Sequence, residues 1–433
     1  MQRFRRAFAQ PASWVVCVFG FGSGLPFLLV GVTLGYWFRE RGLSLGAIGV
    51  FSWISMLYVL KFLWAPLLDR GTPSIAADLG RRRGWLLLSQ LGVVAGLAAM
   101  ALIGPGDEHL GVFLAVLAFT TFCGATQDCV VDAYRIEIAP KEDQGALITT
   151  YSLGYRIGLV LGGALALYAA DLFDWRTTYL LMAAFMLIPA VMTLYASEPP
   201  APPDAGDEPV RVDGRVMAAM EVALRDFLRP VTEFFARNGA KLALTFLLFV
   251  GLYKLPDQII GVMAGPFYLD LGFTKSQIAT VSKVYGVWLG FAGALLGGIA
   301  ATVLGVRRSL LIAALGVALS NLVFLLMAAN PGQVWSFIAA ISADNFCQGF
   351  AGSVLVAFMS GLADVRFSAT QYALLASLSN LPGKLLGGVS GFFVEAFGFQ
   401  AFFALSAVSI LPTLWLYWRL RPHMEGAPPA SAS

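Results

Sequence analysis

Asp128 and Asp132 stand four residues apart in an otherwise apolar stretch, Cys123 to Tyr134. That spacing puts both carboxylates on one face of a helix. Two adjacent carboxylates in a low dielectric cannot both ionise cheaply, so the pair can take up and release a proton near neutral pH. The only histidines, His109 and His423, lie in polar connections. The two aspartates are therefore the leading proton carriers. Asp128 is the stronger candidate, because Asp132 lies nearer the end of the stretch, where it can instead hold Arg135 or the loop. Gln127 beside them can hydrogen-bond a sugar or an amide.

Seven further ionisable residues interrupt apolar stretches: Lys61, Arg156, Lys254, Asp257, Lys283, Asp344 and Lys384. A charge at the centre of a membrane helix costs about 2.5–3.5 kcal/mol on insertion scales. Such a set is expected to face a polar cavity or to pair internally. Interhelical ion pairing or snorkelling is the alternative, most of all for Lys283 near a helix end. Lys61 and Arg156 are expected to face the aspartates or a bound solute. Lys254, Asp257 and Gln258 gather around Pro256, where a helix is easily broken. Asp344, Asn345 and Gln348 make a second polar group, and Lys384 adds a further cation. With Trp53, Tyr58, Tyr155 and Tyr285, these cations, amides and rings suit an anionic solute carrying sugar or peptide groups. Ordinary helix packing is the alternative for the aromatics.

The elements that must position these residues follow from composition. The chain has 433 residues, 58% hydrophobic and 13% charged, with mean hydropathy +0.74. Soluble domains run at roughly 45–50% apolar and about 25% charged, so a soluble enzyme is excluded. Net charge +3 without a basic stripe argues against nucleic acid. Cys17, Cys123, Cys129 and Cys347 lie in apolar stretches without a CxxC pair and read as packing residues, so no metal site is expected. Apolar runs of helical length fall at 13–37, 45–67, 85–104, 110–134, 146–170 and 176–196. They resume at 241–269, 276–303, 308–329, 333–363, 369–394 and 398–418. Each is near the ~20 residues that a membrane span needs. The run behind Arg3, Arg5 and Arg6 continues past a signal-peptide length and reads as a retained first span.

The expected fold is an all-α polytopic membrane protein of 12 transmembrane helices in two six-helix halves. Residues 1–195 form the first half and 241–420 the second. Between them, 196–240 read as a Pro-rich acidic linker and then an amphipathic helix over 214–238; 421–433 form a tail. With both termini cytoplasmic, twenty Lys and Arg fall inside and only Arg39, Arg41, Arg176 and Lys275 outside. A shift of 230 residues carries Leu25-Pro26 onto Leu255-Pro256, Gly42 onto Gly272, Ile48 onto Ile278 and Ser52 onto Ser282. A shift of 225 carries Gly162-Gly163 onto Gly387-Gly388. The halves therefore read as parallel repeats, the arrangement of the major facilitator fold, in which substrate binds near the midplane at the repeat interface.

The connection after the second span, Ala65 to Arg70 followed by Arg81-Arg82-Arg83, resembles the major facilitator loop signature. Ala65 replaces its first Gly, and about ten residues separate Arg70 from the Arg run. Asp69, Arg70 and Arg81 are gate candidates, with topology anchoring by positive charge as the alternative for the Arg run.

Gly20–Leu29, Tyr58–Arg70, Arg81–Leu87, Thr126–Ala133 and Leu153–Leu161 resemble the AmpG family of bacterial inner-membrane muropeptide permeases. The resemblance covers nearly all of the first half with specific motifs and the second half more diffusely. It implies proton-linked import of N-acetylglucosaminyl-1,6-anhydro-N-acetylmuramic acid, with or without peptide, from periplasm to cytoplasm. Such import feeds cell-wall recycling and the induction of β-lactamase. No cofactor beyond the proton gradient is implied. The partners are the glycopeptide and membrane lipid, and the protein is expected to be a monomer. Lys61 matches the family's Lys-Phe-Leu-Trp motif, Gln127, Asp128 and Asp132 its Gln-Asp…Asp motif, and Arg156 its Gly-Tyr-Arg motif. Some members have two additional spans, where twelve are counted here. Acetyl-coenzyme A transporters and siderophore permeases in the wider family keep another anionic solute open. A prenyltransferase-type enzyme would need a second acidic cluster, and the tenth span offers only Asp344. An assembly factor built on a transporter fold would not need nine charges in its spans.

Overall fold

The computed structural model describes residues 11–65, 68, 72–139, 144–200, 232–362 and 368–424. Every regular element among them is helical. The first span is α1 (Pro11–Leu29) with α2 (Val32–Glu40), and the second α3 (Leu45–Ser52) with α4 (Leu57–Leu60). Then come α5 (Arg81–Ile103), α6 (Leu110–Glu137), α7 (Gln144–Val160) with α8 (Ala166–Leu172), and α9 (Trp175–Phe185) with α10 (Leu187–Tyr195). The later spans are α11 (Ala240–Tyr253) with α12 (Leu255–Asp270), α13 (Lys275–Ile278) with α14 (Gly286–Val303), α15 (Val306–Ala329) and α16 (Val334–Leu362). The last are α17 (Ser368–Val408) and α18 (Leu411–Leu420).

Ten helices among the described residues are long and apolar enough to cross a membrane, and Leu45–Leu60 is a shorter apolar helix. One of the ten, Leu375–His423, holds two spans, because Gly398 at φ +79° breaks α17. That left-handed conformation suits glycine. The twelve expected spans are thus present. Of the expected linker, 201–231 lies outside the described residues, and 232–238 is helical.

The second span differs from the expected continuous helix over 45–67. Trp53–Met56 and Lys61–Leu63 are wound as 3₁₀ turns. Ser52 directs its hydroxyl back to the Gly49 carbonyl at 2.6 Å. Such back-bonding weakens regular helix winding. The fifth and eighth spans each contain a π-helical turn, at Leu161–Leu165 and Ala279–Tyr285.

The chain forms two compact units. The first comprises Met1–Gly42 and Ile54–Ala223, the second Leu43–Trp53 and Leu224–Ser433. In the first, Val16, Phe19, Leu86, Val130 and Tyr134 are buried together. Its α1 and α7 approach until backbones touch. A Cβ at Gly154 would lie 1.8 Å from the Cys17 carbonyl oxygen, and one at Gly24 2.1 Å from that of Tyr155. Small residues at four-residue spacing permit this contact. In the second unit, Phe246, Phe249, Leu310, Val317 and Leu355 form the core, and α3 packs on α17 with Gly46 N–H donating to Glu395 Oε1 at 2.9 Å.

The repeat read from the sequence recurs in the turns. Gly42 and Gly272 have φ +81° and +84°, and two residues later Ser44 and Thr274 cap the next helix. Ser44 accepts from Ala47 N–H, and Thr274 forms a capping box with Gln277. Between the fifth and sixth spans, Asp174 caps α9 by accepting from Thr177 N–H at 2.6 Å. That bond holds its carboxyl below the usual carboxylate range.

Candidate functional site

The first unit gathers its charges at one point. The 3₁₀ turn Lys61–Leu63 delivers the Lys61 ammonium to the face of α6 that carries both aspartates. Lys61 Nζ lies 2.5 Å from Asp128 Oδ2 and 3.5 Å from Asp132 Oδ2. Tyr151 on α7 donates its hydroxyl to Asp128 Oδ1 at 3.1 Å, and the Tyr155 ring lies 6.0 Å away, tilted against that of Tyr151. Arg135 approaches Asp132 Oδ1 at 3.8 Å, the contact anticipated for the outer aspartate. One ammonium thus serves two carboxylates, and one of these also takes a phenol hydrogen bond.

Tyr58 stands beside this group, its buried hydroxyl without a hydrogen-bond partner among the described residues. Gly124 makes room for it, since a Cβ there would lie 2.3 Å from that oxygen. Gln127 turns elsewhere. It is fully buried, and a Cβ on Gly22 would lie 2.7 Å from its amide nitrogen, with neither amide atom hydrogen-bonded among the described residues. Arg156 is exposed on α7.

The second unit holds a different arrangement. The helix breaks at Lys254, just before Pro256, whose missing N–H suits the first turn of α12. Asp257 follows; its Oδ1 is sequestered without a hydrogen-bond partner among the described residues. Asp344 and Lys254 lie near enough to Asp257 to act on its charge, as Lys283 does on Asp344. Gln348 donates to Asp344 Oδ1 at 2.9 Å one helical turn away. Gln258 donates to Asn380 Oδ1 at 2.8 Å, while Asn345 donates back to the Ile341 carbonyl at 3.2 Å. Tyr285, at the end of the π turn, shares a hydrogen bond with Ser342 at 3.0 Å. Trp53 donates its indole N–H to the Leu385 carbonyl at 3.1 Å, beside Lys384 on the same helix.

The Major Facilitator Superfamily profile matches residues 12–255 and 246–433. The chain is 36% identical over 425 residues to the anhydromuropeptide permease of Escherichia coli K12, covering 98% of this chain and 82% of that one. A protein of Haemophilus influenzae is 35% identical, with 93% of each chain covered.

The chain belongs to the AmpG family of the Major Facilitator Superfamily.

It is a multi-pass membrane transporter by this membership. Solved structures share the fold at low identity. A bacterial homologue of the human lysosomal transporter Spinster, inward-facing and unoccupied, gives a TM-score of 0.70 at 14% identity, with 97% of this chain and 98% of that one covered. The D-xylose-proton symporter gives 0.67 at 13% identity, over 96% and 98% of the two chains.

Of the gate candidates in the major facilitator loop, Asp69 and Arg70 lie outside the described residues. Arg81 donates to both oxygens of Glu137 at 3.1 and 3.2 Å. Sequence reasoning missed that Glu137 also takes Arg82, at 2.6 and 2.9 Å. It missed Tyr151 as well, although Tyr151 stands four residues before Tyr155 on the same helical face. That spacing was the signal available.

Proposed function

We propose that this transporter imports anhydro-muropeptides, N-acetylglucosaminyl-1,6-anhydro-N-acetylmuramic acid with or without peptide. Import runs from periplasm to cytoplasm across the bacterial inner membrane, by alternating access coupled to proton entry. The observation that carries the reading is the triad of Lys61 between Asp128 and Asp132, in a chain whose 36% identical relative is an anhydromuropeptide permease.

In the deprotonated state Lys61 is held by both carboxylates. A proton entering from the periplasmic side binds a carboxylate oxygen of Asp128, leaving Lys61 with a single acidic neighbour. Lys61 is then free to take a carboxylate of the solute, such as the lactyl-derived or peptide carboxylate. Release of the proton to the cytoplasm restores the triad and expels that carboxylate by competition. Tyr151 orients Asp128 in both states, because a phenol can donate to a carboxylate and accept from a carboxylic acid. Lys254, Lys384 and the amides Gln258, Asn345 and Gln348 offer cations and hydrogen bonds to the sugar hydroxyls and peptide carbonyls. The excess of Lys and Arg in alternate connections supports cytoplasmic termini.

The test is uptake of the radiolabelled anhydro-disaccharide into proteoliposomes, with and without an imposed inside-alkaline pH gradient. Accumulation that needs the gradient and is blocked by excess unlabelled muropeptide is the expected result. Uptake blocked instead by a coenzyme A thioester or a siderophore would overturn the substrate. Equal uptake without the gradient would overturn the coupling.

A further inference from the structure

We propose that Glu395 latches a strap, Leu43–Trp53, onto α17. In the alternating access proposed above, on which this rests, release of the latch opens the transporter at the end of the second span where α3 begins.

The strap stands out by the company it keeps. In chain order it begins the second span of the first repeat, yet it packs within the second unit, where α3 lies along α17. A stretch of 3₁₀ winding inside a span often marks a hinge, and Trp53–Met56 is wound that way where the strap ends. At its other end Gly42 has φ +81°. The partner helix is itself broken three residues beyond Glu395, at Gly398. A short helix between two such points can turn as a body, since hinges are a few element-terminal residues that absorb the backbone change.

Strap and α17 meet backbone to backbone. A Cβ on Gly49 would lie 2.6 Å from the Gly388 carbonyl oxygen, and one on Gly391 would overlap the Leu45 carbonyl. Small residues permit so close an approach, and it gives the strap one register on α17. Side-chain hydrogen bonds then hold both ends. Gly46 N–H donates to Glu395 Oε1 at 2.9 Å, and the Trp53 indole N–H donates to the Leu385 carbonyl at 3.1 Å.

The corresponding helix of the second repeat closes its own cap. A shift of 230 residues carries Ser44 onto Thr274, Gly46 onto Ser276 and Ala47 onto Gln277. At α13 the Gln277 carboxamide accepts from Thr274 N–H at 2.9 Å and completes a capping box. Ala47 has no such group, so among the described residues α3 has only the Ser44 hydroxyl as a side-chain cap of its own. The second acceptor comes from α17 instead, as a carboxylate at the positive end of the helix dipole. The end of α3 is thus fully served only while it lies on α17, which is the property a latch requires.

The experiment is double electron–electron resonance on the full chain in nanodiscs, with the four native cysteines replaced and spin labels on Val50→Cys and Phe397→Cys. Distances are read without solute or pH gradient, so failure of the import reading leaves this test standing. One dominant short distance is expected in the parent. Glu395→Ala should raise the long-distance population about tenfold, as loss of a hydrogen bond to a charged group does, and Trp53→Phe about threefold. Adding Ala47→Gln to Glu395→Ala should restore the unfolding midpoint through the capping box but leave the long-distance population raised. If Glu395→Ala fails to fold, Glu395→Gln and Trp53→Phe decide, at about threefold each. Variants that keep the parent's distances would overturn the proposal. So would Ala47→Gln restoring both readouts, since Glu395 would then be a helix cap alone.

Discussion

The two units repeat one another in turns and span order but handle charge in opposite ways. In the first, carboxylates are met by cations: Asp128 and Asp132 by Lys61, Glu137 by Arg81 and Arg82. In the second, Asp344 is met by the Gln348 amide, Asp257 keeps an oxygen without a hydrogen-bond partner among the described residues, and Leu362 stands where a shift of 225 residues carries Glu137. Among the described residues, the first unit ties its carboxylates to cations by short ion pairs, whereas the second meets Asp344 with an amide and leaves an Asp257 oxygen unbonded. The same turn glycines recur in both units, and the side chains around them differ.

The largest effect that could break this contrast is at Lys61. Lys61→Met leaves two carboxylates facing each other and should destabilise the protein by about 3 kcal/mol. That is the low end for a broken buried pair, since Lys61 and Asp128 keep 27% and 18% of their side-chain exposure. Thermal unfolding in detergent reads the loss, and adding Asp128→Asn should return part of it. If Lys254→Met, in the second unit, cost as much, the contrast would fail. Next comes Glu137→Gln, which removes the charge from the Arg81 and Arg82 contacts. A cost of about 2 kcal/mol is expected, and unfolding midpoints compared with Leu362→Gln, expected near neutral, sharpen the difference at equivalent positions.

The shared frame makes its own prediction. Gly154→Ala should cost about 1–3 kcal/mol, because its Cβ would meet the Cys17 carbonyl oxygen at 1.8 Å. Smaller still, Gly42→Ala and Gly272→Ala should each cost about 1 kcal/mol from the left-handed backbone alone, as nothing lies within 4 Å of either added carbon. Equal midpoint shifts for the two are expected, and a clear inequality would mean that the turns are not true repeats.

The sequence makes the frame legible because membrane spans are read from long apolar runs, and the parallel repeat because glycine and cap residues recur at fixed shifts. The aspartate pair and Lys61 were legible because charges in such runs are expensive. What escaped was contact between distant segments. Tyr151 of α7 donates to Asp128 of α6, a pairing that neither helix's own pattern announces. Glu137 joins Arg81 and Arg82 across 56 and 55 residues. The second span was expected to be continuous because its hydropathy is, whereas hydropathy carries no signal for the 3₁₀ turn that delivers Lys61. Gln127 shows the converse: a polar residue next to the key aspartate points into the packed interior, since neighbouring positions on a helix face different ways.

The most direct measurement concerns Asp128→Asn in proteoliposomes, assayed for gradient-driven accumulation and for counterflow exchange of the labelled disaccharide. An asparagine keeps the shape and can still bond Tyr151, but it cannot gain or lose the proton. The prediction is that pH-gradient-driven accumulation disappears while counterflow persists. Accumulation at the parent level would contradict the assignment of the proton to this triad.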